Sequence, residues 1–240
     1  TEHIEYLPHK DYLTKGHNQA YEVAKSRADE LGLVLIRGAE ITRGMPPGHL
    51  NALFLEDANA LEQESFDDAI RAANEQGAFV FWNHPGWEAQ APDSTRWYDK
   101  HMEIYEKGYL HGIEVANYNE WYPKAVGWSL NKELTIVGNS DMHQPSGVYL
   151  RQSGNKQRVV TLVFAAEKSA EAIKQALKER RTVAWIGERL IGETSFLDAL
   201  FKKAVELKKQ GNGHVLVNSS DFSFQVSPRK ADKPVTIPPQ

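Results

Sequence analysis

The chain contains no cysteine. Disulfides are therefore excluded, and so is any metal site built on thiolates. A metal ion bound here must be held by His, Asp or Glu, a donor set suited to borderline or hard divalent ions. No apolar run approaches the roughly 18 residues that a membrane-crossing helix needs, so no membrane span is read. Charge of one sign does not accumulate either: 28 Lys and Arg stand against 32 Asp and Glu, a formal net charge of −4, with no block of like charge. Attraction to a nucleic-acid backbone by charge alone is not favoured, and no stable nucleic-acid partner is expected. Internal repeats and low-complexity tracts are missing as well.

What is present is an ordinary globular composition: 240 residues, 41% hydrophobic and 25% charged. That length supports one α/β domain with a buried core and room for a small appendage. Short apolar strands alternate with amphipathic helices, as in a parallel α/β fold. Residues 17–32 read as a helix with Ala20, Val23, Ala24, Ala28 and Leu31 near one face, followed by a strand over Leu33–Ile36. Further strands are predicted at Leu50–Leu55, Ala78–Trp82, Gly112–Val115, Leu134–Val137, Val159–Phe164 and Thr182–Ile186. Ser65 is placed to cap a helix that carries Asp67 and Asp68 in its first turn and runs to Gly77. Helices are also read over 97–108 and 123–132, and one capped by Ser169 carries Ile173 and Leu177. A last helix is expected over 195–210. Then His214–Asn218 and Phe222–Val226 alternate apolar and polar across Ser219-Ser220-Asp221, the pattern of a hairpin. The expected organisation is a barrel over 1–210 and the start of a small β appendage over 211–240.

The residues that carry chemistry fall at similar places. His3, Glu40, His84, Asp141 and His143 lie at or just beyond the C-terminal ends of inferred strands, which in a parallel barrel converge on one mouth. His49 lies just ahead of its strand. Neutral imidazoles and carboxylates offer lone pairs at about 2.0–2.2 Å from a metal ion. Two such ions roughly 3.5–4 Å apart clamp a phosphate and generate hydroxide near neutral pH. Each residue alone has a plainer reading. A His before Pro, as in His84-Pro85, is often a loop residue, and Glu40 could cap a helix. Asp141-Met142-His143 is better placed, since alternate residues can point the same way and chelate. The joint pattern outweighs any one member.

Six segments carry a family resemblance. Thr1-Glu2-His3, Gly38-Ala39-Glu40-Ile41-Thr42, Gly48-His49-Leu50-Asn51-Ala52-Leu53, Asn83-His84-Pro85-Gly86-Trp87, Gly112-Ile113-Glu114-Val115 and Gly138-Asn139-Ser140-Asp141-Met142-His143 resemble the successive motifs of the PHP (polymerase and histidinol phosphatase) family, in the family order. Arg180-Arg181-Thr182-Val183-Ala184-Trp185 resembles its arginine–threonine strand. The resemblance implies a distorted seven-stranded TIM-like (β/α) barrel, two or three divalent ions (zinc, manganese or iron) and phosphoesterase activity on a phosphorylated small molecule or nucleotide. By position, His3, Glu40, His49, His84, Asp141 and His143 match the family's ligands. The family opens with a His-x-His strand, and none precedes Thr1. The expectation is therefore that about 30 residues stand before Thr1 in the parent protein, the size of a βαβ piece. A removed leader fits this and favours an exported or periplasmic location over a cytoplasmic one; simple truncation fits as well.

The expected reaction is hydrolysis by a metal-activated hydroxide, with catalytic roles for Asp141 and His143. His9 is placed to reach the cluster or to protonate the leaving alkoxide, and Arg43 to fork onto a phosphate oxygen, with a surface ion pair as its alternative. Asn83, Glu114, Asn117 and Asn139 are candidates for orienting the ligating imidazoles. Trp87 and Trp121 fall in loops suited to stacking on a base or sugar, while Trp82 and Trp128 suit the core. His17, His101, His111 and His214 are given no role. Two other functions stay open: a metal-dependent amidohydrolase-like enzyme, and a degenerate barrel that binds a phosphorylated ligand or a protein.

Overall fold

The structure is a computed structural model that describes residues 1–8, 10–153, 157–226 and 235–239. It is a mixed α/β fold. In chain order the strands β1 (Glu2–His3), β2 (Gly38–Thr42), β3 (His49–Leu53), β4 (Phe79–Trp82), β5 (Gly112–Asn117), β6 (Glu120–Trp121) and β7 (Thr135–Asn139) form one seven-stranded sheet. Helices α1 (Gln19–Glu30), α2 (Phe66–Glu75), α3 (Asp99–Glu106) and α4 (Pro123–Asn131) lie between them, and α5 (Ser146–Ser153) follows β7. A second sheet joins β8 (Val160–Val163), β9 (Thr182–Ile186) and β10 (Arg189–Gly192), with α6 (Ala170–Lys178) between the first two. Side chains tie the two sheets: the Thr182 hydroxyl donates to the Ile136 carbonyl at 2.7 Å, and the Thr161 hydroxyl donates to the Gly138 carbonyl at 2.8 Å.

Local chemistry accounts for the helix starts. Ser65 accepts from the Asp68 N–H, with Asp67 and Asp68 in the positive first turn of α2, and Ser169 accepts from the Ala172 N–H at the start of α6. Pro123 opens α4, where its missing N–H costs nothing. One face of the main sheet is apolar: Ile41, Leu50, Trp82, Ile113 and Ile136 pack with Ala69, Ile70 and Ala73 of α2 and Ile104 of α3. Alternate residues on the same strands face the other way, and there Glu40, Asn51, Phe81 and Glu114 line a cleft. No helix among the described residues is long and apolar enough to cross a membrane.

Four sequence expectations change. The sheet is not wholly parallel: β1–β2, β4–β5 and β5–β7 are parallel, but β3 runs antiparallel to both β2 and β4. Leu33–Ile36 is not a strand; β2 begins at Gly38, opposite Leu53, and beyond that pair Phe54 takes φ 65° and one backbone bond, from the Leu55 N–H to the Arg37 carbonyl at 3.1 Å, continues the ladder. The helix read over 195–210 ends early as α7 (Thr194–Ala204), and β11 (Val205–Gln210) pairs antiparallel with β12 (Gly213–Asn218). Val205 and Leu207 alternate with Glu206 and Lys208, and Gly211-Asn212 supplies a two-residue hairpin turn with Gly211 at φ 58°. The residues Phe224–Val226, expected to pair with His214–Asn218, are β13 and pair with β14 (Val235–Ile237) instead.

Candidate metal centre

The antiparallel course of β3 explains why a histidine ahead of its strand reaches the cleft. In β2–β3 the register sets Glu40 opposite Asn51 and Thr42 opposite His49. The first residue of β3 therefore lies beside the last residue of β2. With a period of two, Glu40 and Thr42 share a face. Glu40 is the third residue of β2 rather than its end, and it is buried. Its Oε1 lies 2.8 Å from His49 Nδ1 and 3.3 Å from His3 Nδ1, and the Thr42 hydroxyl lies 2.8 Å from the same His3 nitrogen. Burial pushes the Glu40 carboxyl up, but hydrogen bonds from His3 and His49 and their charge outweigh it, holding the group well below the usual carboxylate range. The hydrogen bond to Glu40 raises His3, against burial.

His84 stands two residues past β4 with φ 27°. Its ring meets the His49 ring edge-on at 4.8 Å, and its Nδ1 is buried with no hydrogen-bond partner. Burial lowers its basicity, which favours the neutral imidazole and its lone pair. Ligand atoms of Glu40, His49 and His84 all lie within 4.8 Å of one another. Asp141, at φ 48°, is two residues past β7. His143 Nδ1 donates to the Asp141 carbonyl at 2.9 Å, and its ring stacks on His3 at 5.7 Å. These two residues sit at the more open rim of a cleft of 760 Å³ that also holds His3, Glu40 and His84.

Beneath His84 lies a buried acid. Glu114 is fully enclosed, and its Oε2 accepts from the His84 backbone N–H at 2.5 Å and from the Asn117 amide at 2.9 Å, while Oε1 accepts from the Asn139 amide at 2.6 Å. Burial pushes its carboxyl up to about 8, against those three donors. Glu114 thereby ties the loop after β4, the end of β5 and the end of β7 together.

Several residues stand elsewhere than the sequence suggested. The guanidinium of Arg43 is spent on the carbonyls of Gln63 (2.7 Å) and Glu64 (2.9 Å) and on Glu5 (2.7 Å); it braces a loop and does not line the cleft. The cleft is lined instead by Arg158, which carried no motif signal. His9 lies outside the described residues. His101, given no role on a helix surface, is completely buried, stacked 3.6 Å from Trp82, with its Nε2 donating to the Pro47 carbonyl at 2.7 Å. His111 accepts the Val80 N–H. Both are structural. The sequence reading also passed over Thr42 and over Gln90, whose amide lies 2.9 Å from His49 Nε2. Thr42 was findable, two residues from Glu40 on one strand; Gln90 sits in a loop with no periodic signal.

No protein-family model and no curated protein matches the chain. Among solved structures, it is similar to a two-domain protein of Bacteroides vulgatus ATCC 8482 containing a predicted PHP-like metal-dependent phosphoesterase. The two share 41% identity and a TM-score of 0.92 over all of this chain and 73% of that one. A protein of Bifidobacterium adolescentis ATCC 15703, provisionally named a metal-dependent phosphoesterase, matches at 13% identity and a TM-score of 0.45 over 66% of this chain and 81% of that one, too distant to bear on function. The cleft of imidazoles and carboxylates and the 41% identity over the whole chain agree, and the chain belongs to the PHP-like family of metal-dependent phosphoesterases.

Proposed function

We propose that the chain hydrolyses phosphoesters, phosphomonoesters or nucleotide-type substrates, with two or three divalent ions held in the cleft. The observation that carries the reading is the Glu40–His49–His84 cluster, whose ligand atoms lie within 4.8 Å of one another and which includes a buried, partnerless His84 Nδ1. A buried imidazole nitrogen without a partner is costly unless something occupies it. The donors fit a divalent ion: two imidazoles, one of them shifted by burial towards its neutral form, and a carboxylate that its partners hold ionised. Zinc, manganese and iron all suit such ligands. When bound, the ions supply Lewis acidity to a phosphoryl oxygen and lower the pKa of water. His3, Asp141 and His143 would complete the ligand set, and the strands would wrap as the distorted barrel of the family.

The chain's own residues do the positioning. Gln90 and Glu40 hold the two ring nitrogens of His49, so that a metal ion would displace one of them, and Glu114 fixes the backbone of His84. Arg158 at the cleft offers a fixed positive charge to a phosphate. Inorganic phosphate release from a generic phosphomonoester, measured after chelation and again after adding back Mn²⁺ or Zn²⁺, tests the reading. Activity lost on chelation and restored by metal is expected; activity that survives complete metal removal rejects it.

A further inference from the structure

A second pocket opens beside the cleft, with a volume of 470 Å³, inside the range of about 300–1,000 Å³ typical of small-molecule sites. It shares Asp141, His143, Asn117 and Gln144 with the cleft, so the two are continuous. Trp87 forms one wall. Its ring packs on His84 at 5.2 Å and on His49 at 5.9 Å, directly beside the candidate metal ligands, yet 41% of the residue stays exposed. The Trp87 backbone is pinned: its N–H donates to the His84 carbonyl, and its carbonyl accepts from Gln90 and Ala91. Trp121, the other aromatic suited by sequence to stacking, has the Arg189 guanidinium over its ring at 5.0 Å and does not line this pocket.

The charge of the lining differs from that of the cleft. None of the described residues that line the pocket is Lys or Arg, whereas Arg158 lines the cleft. Away from the shared Asp141 and His143, the polar groups are amides, Asn119, Gln144 and Gln152 among them, the carboxylate of Glu120 and the tyrosines Tyr118 and Tyr149. A second phosphate placed here would meet the carboxylates of Glu120 and Asp141 and, among the described side chains, no Lys or Arg. A flat, uncharged ring would meet an indole face and several hydrogen-bonding amides.

We propose that this pocket is the leaving-group subsite, and that it takes an uncharged aromatic group with a hydrogen-bonding edge, such as a nucleobase, seated on Trp87, in preference to a group carrying a second phosphate. The proposal rests on the phosphoesterase reading for its catalytic half and on the pocket alone for its binding half.

Two measurements on the metal-loaded protein separate those halves. The first is kcat/KM for adenosine 5′-monophosphate, glycerol 2-phosphate and fructose 1,6-bisphosphate. The nucleotide should be preferred by about 10-fold or more over both, in line with the roughly 5- to 150-fold that stacking one base on an aromatic side chain contributes. Trp87→Ala should collapse that ratio, and Trp87→Phe should restore most of it; a purely structural Trp87 would lower all three substrates together. The second is binding of adenosine itself, without phosphate, by saturation-transfer NMR. Binding that Trp87→Ala abolishes supports the pocket even if no phosphoester is hydrolysed, an outcome that would reject only the catalytic reading. A preference for the bisphosphate, a ratio that Trp87→Ala leaves unmoved, or no adenosine binding overturns the proposal.

Discussion

Glu114 is where fold and site meet, and removing its carboxylate tests both. Three N–H groups end on it: the backbone of His84, and the amides of Asn117 and Asn139. All belong to buried or half-buried groups. In Glu114→Ala each loses its acceptor, at about 1–3 kcal/mol per buried donor. The backbone N–H cannot rotate away, whereas the two amides can turn in part. Loss of the buried carboxyl also relieves its desolvation, a smaller offset for the neutral acid that burial favours at neutral pH. The net expectation is a destabilisation of roughly 3–5 kcal/mol. In Glu114→Gln the amide oxygen can keep the His84 and Asn117 bonds while its NH₂ faces Asn139, so about 1–2 kcal/mol is expected. Metal affinity should fall about 10- to 100-fold in both, the usual cost of losing a partner behind the ligands. Urea unfolding of the metal-free protein and calorimetric metal titration read the two effects separately. A Glu114→Ala protein with wild-type stability and wild-type metal affinity would refute the reasoning.

Other outcomes follow from single residues. Asp141→Asn keeps the shape of the rim but removes its charge, and turnover should drop at least about 100-fold, the scale of lost transition-state charge stabilisation, with the circular dichroism spectrum retained. Gly86→Ala puts a Cβ 2.6 Å from Thr95 Oγ1 and 2.7 Å from the Tyr122 ring, so the turn carrying His84 and Trp87 must shift; metal affinity and turnover should both fall, and unchanged values would show the turn to be soft. Burial holds His101 down to about 4 from its ordinary 6.5, so the fold favours the neutral ring. That contribution is complete above pH 6.5 and is lost as pH falls towards 4, about 3 kcal/mol at ~1.4 kcal/mol per pH unit. Urea midpoints from pH 7.5 to 4 should show a slope that His101→Leu reduces; an identical slope in the variant would contradict the assignment.

Local signals were the legible part of this chain. Ser65 and Ser169 declared their helices because a cap needs only a hydroxyl and the turn it closes. Thr182–Ile186 is a strand with the bounds its apolar run gave. The candidate ligands were found by their places beside strands, and the structure brings Glu40, His49 and His84 together. What stayed hidden depends on direction and distance. Nothing in Gly48-His49-Leu50 says that β3 runs antiparallel, and that alone carries His49 to the mouth. Arg43 and Arg158 look alike in sequence, but the first is consumed by two carbonyls and a carboxylate that are remote in the chain or reached only by folding. The carbonyl that satisfies the buried His101 ring is that of Pro47, 54 residues away. The end of α7 was missed because a helical period was carried past Ala204 into residues that alternate.

The claim that Glu40, His49 and His84 form a metal centre is tested most directly by stoichiometry. Metal-free protein is titrated with Zn²⁺ or Mn²⁺ and the bound equivalents are counted, for the wild type and for Glu40→Gln and His84→Ala. At least two equivalents are predicted for the wild type, and at least one fewer for each variant, with both variants still folded. A wild type that binds no ion, or variants that bind as many as the wild type with unchanged affinity, would contradict the account.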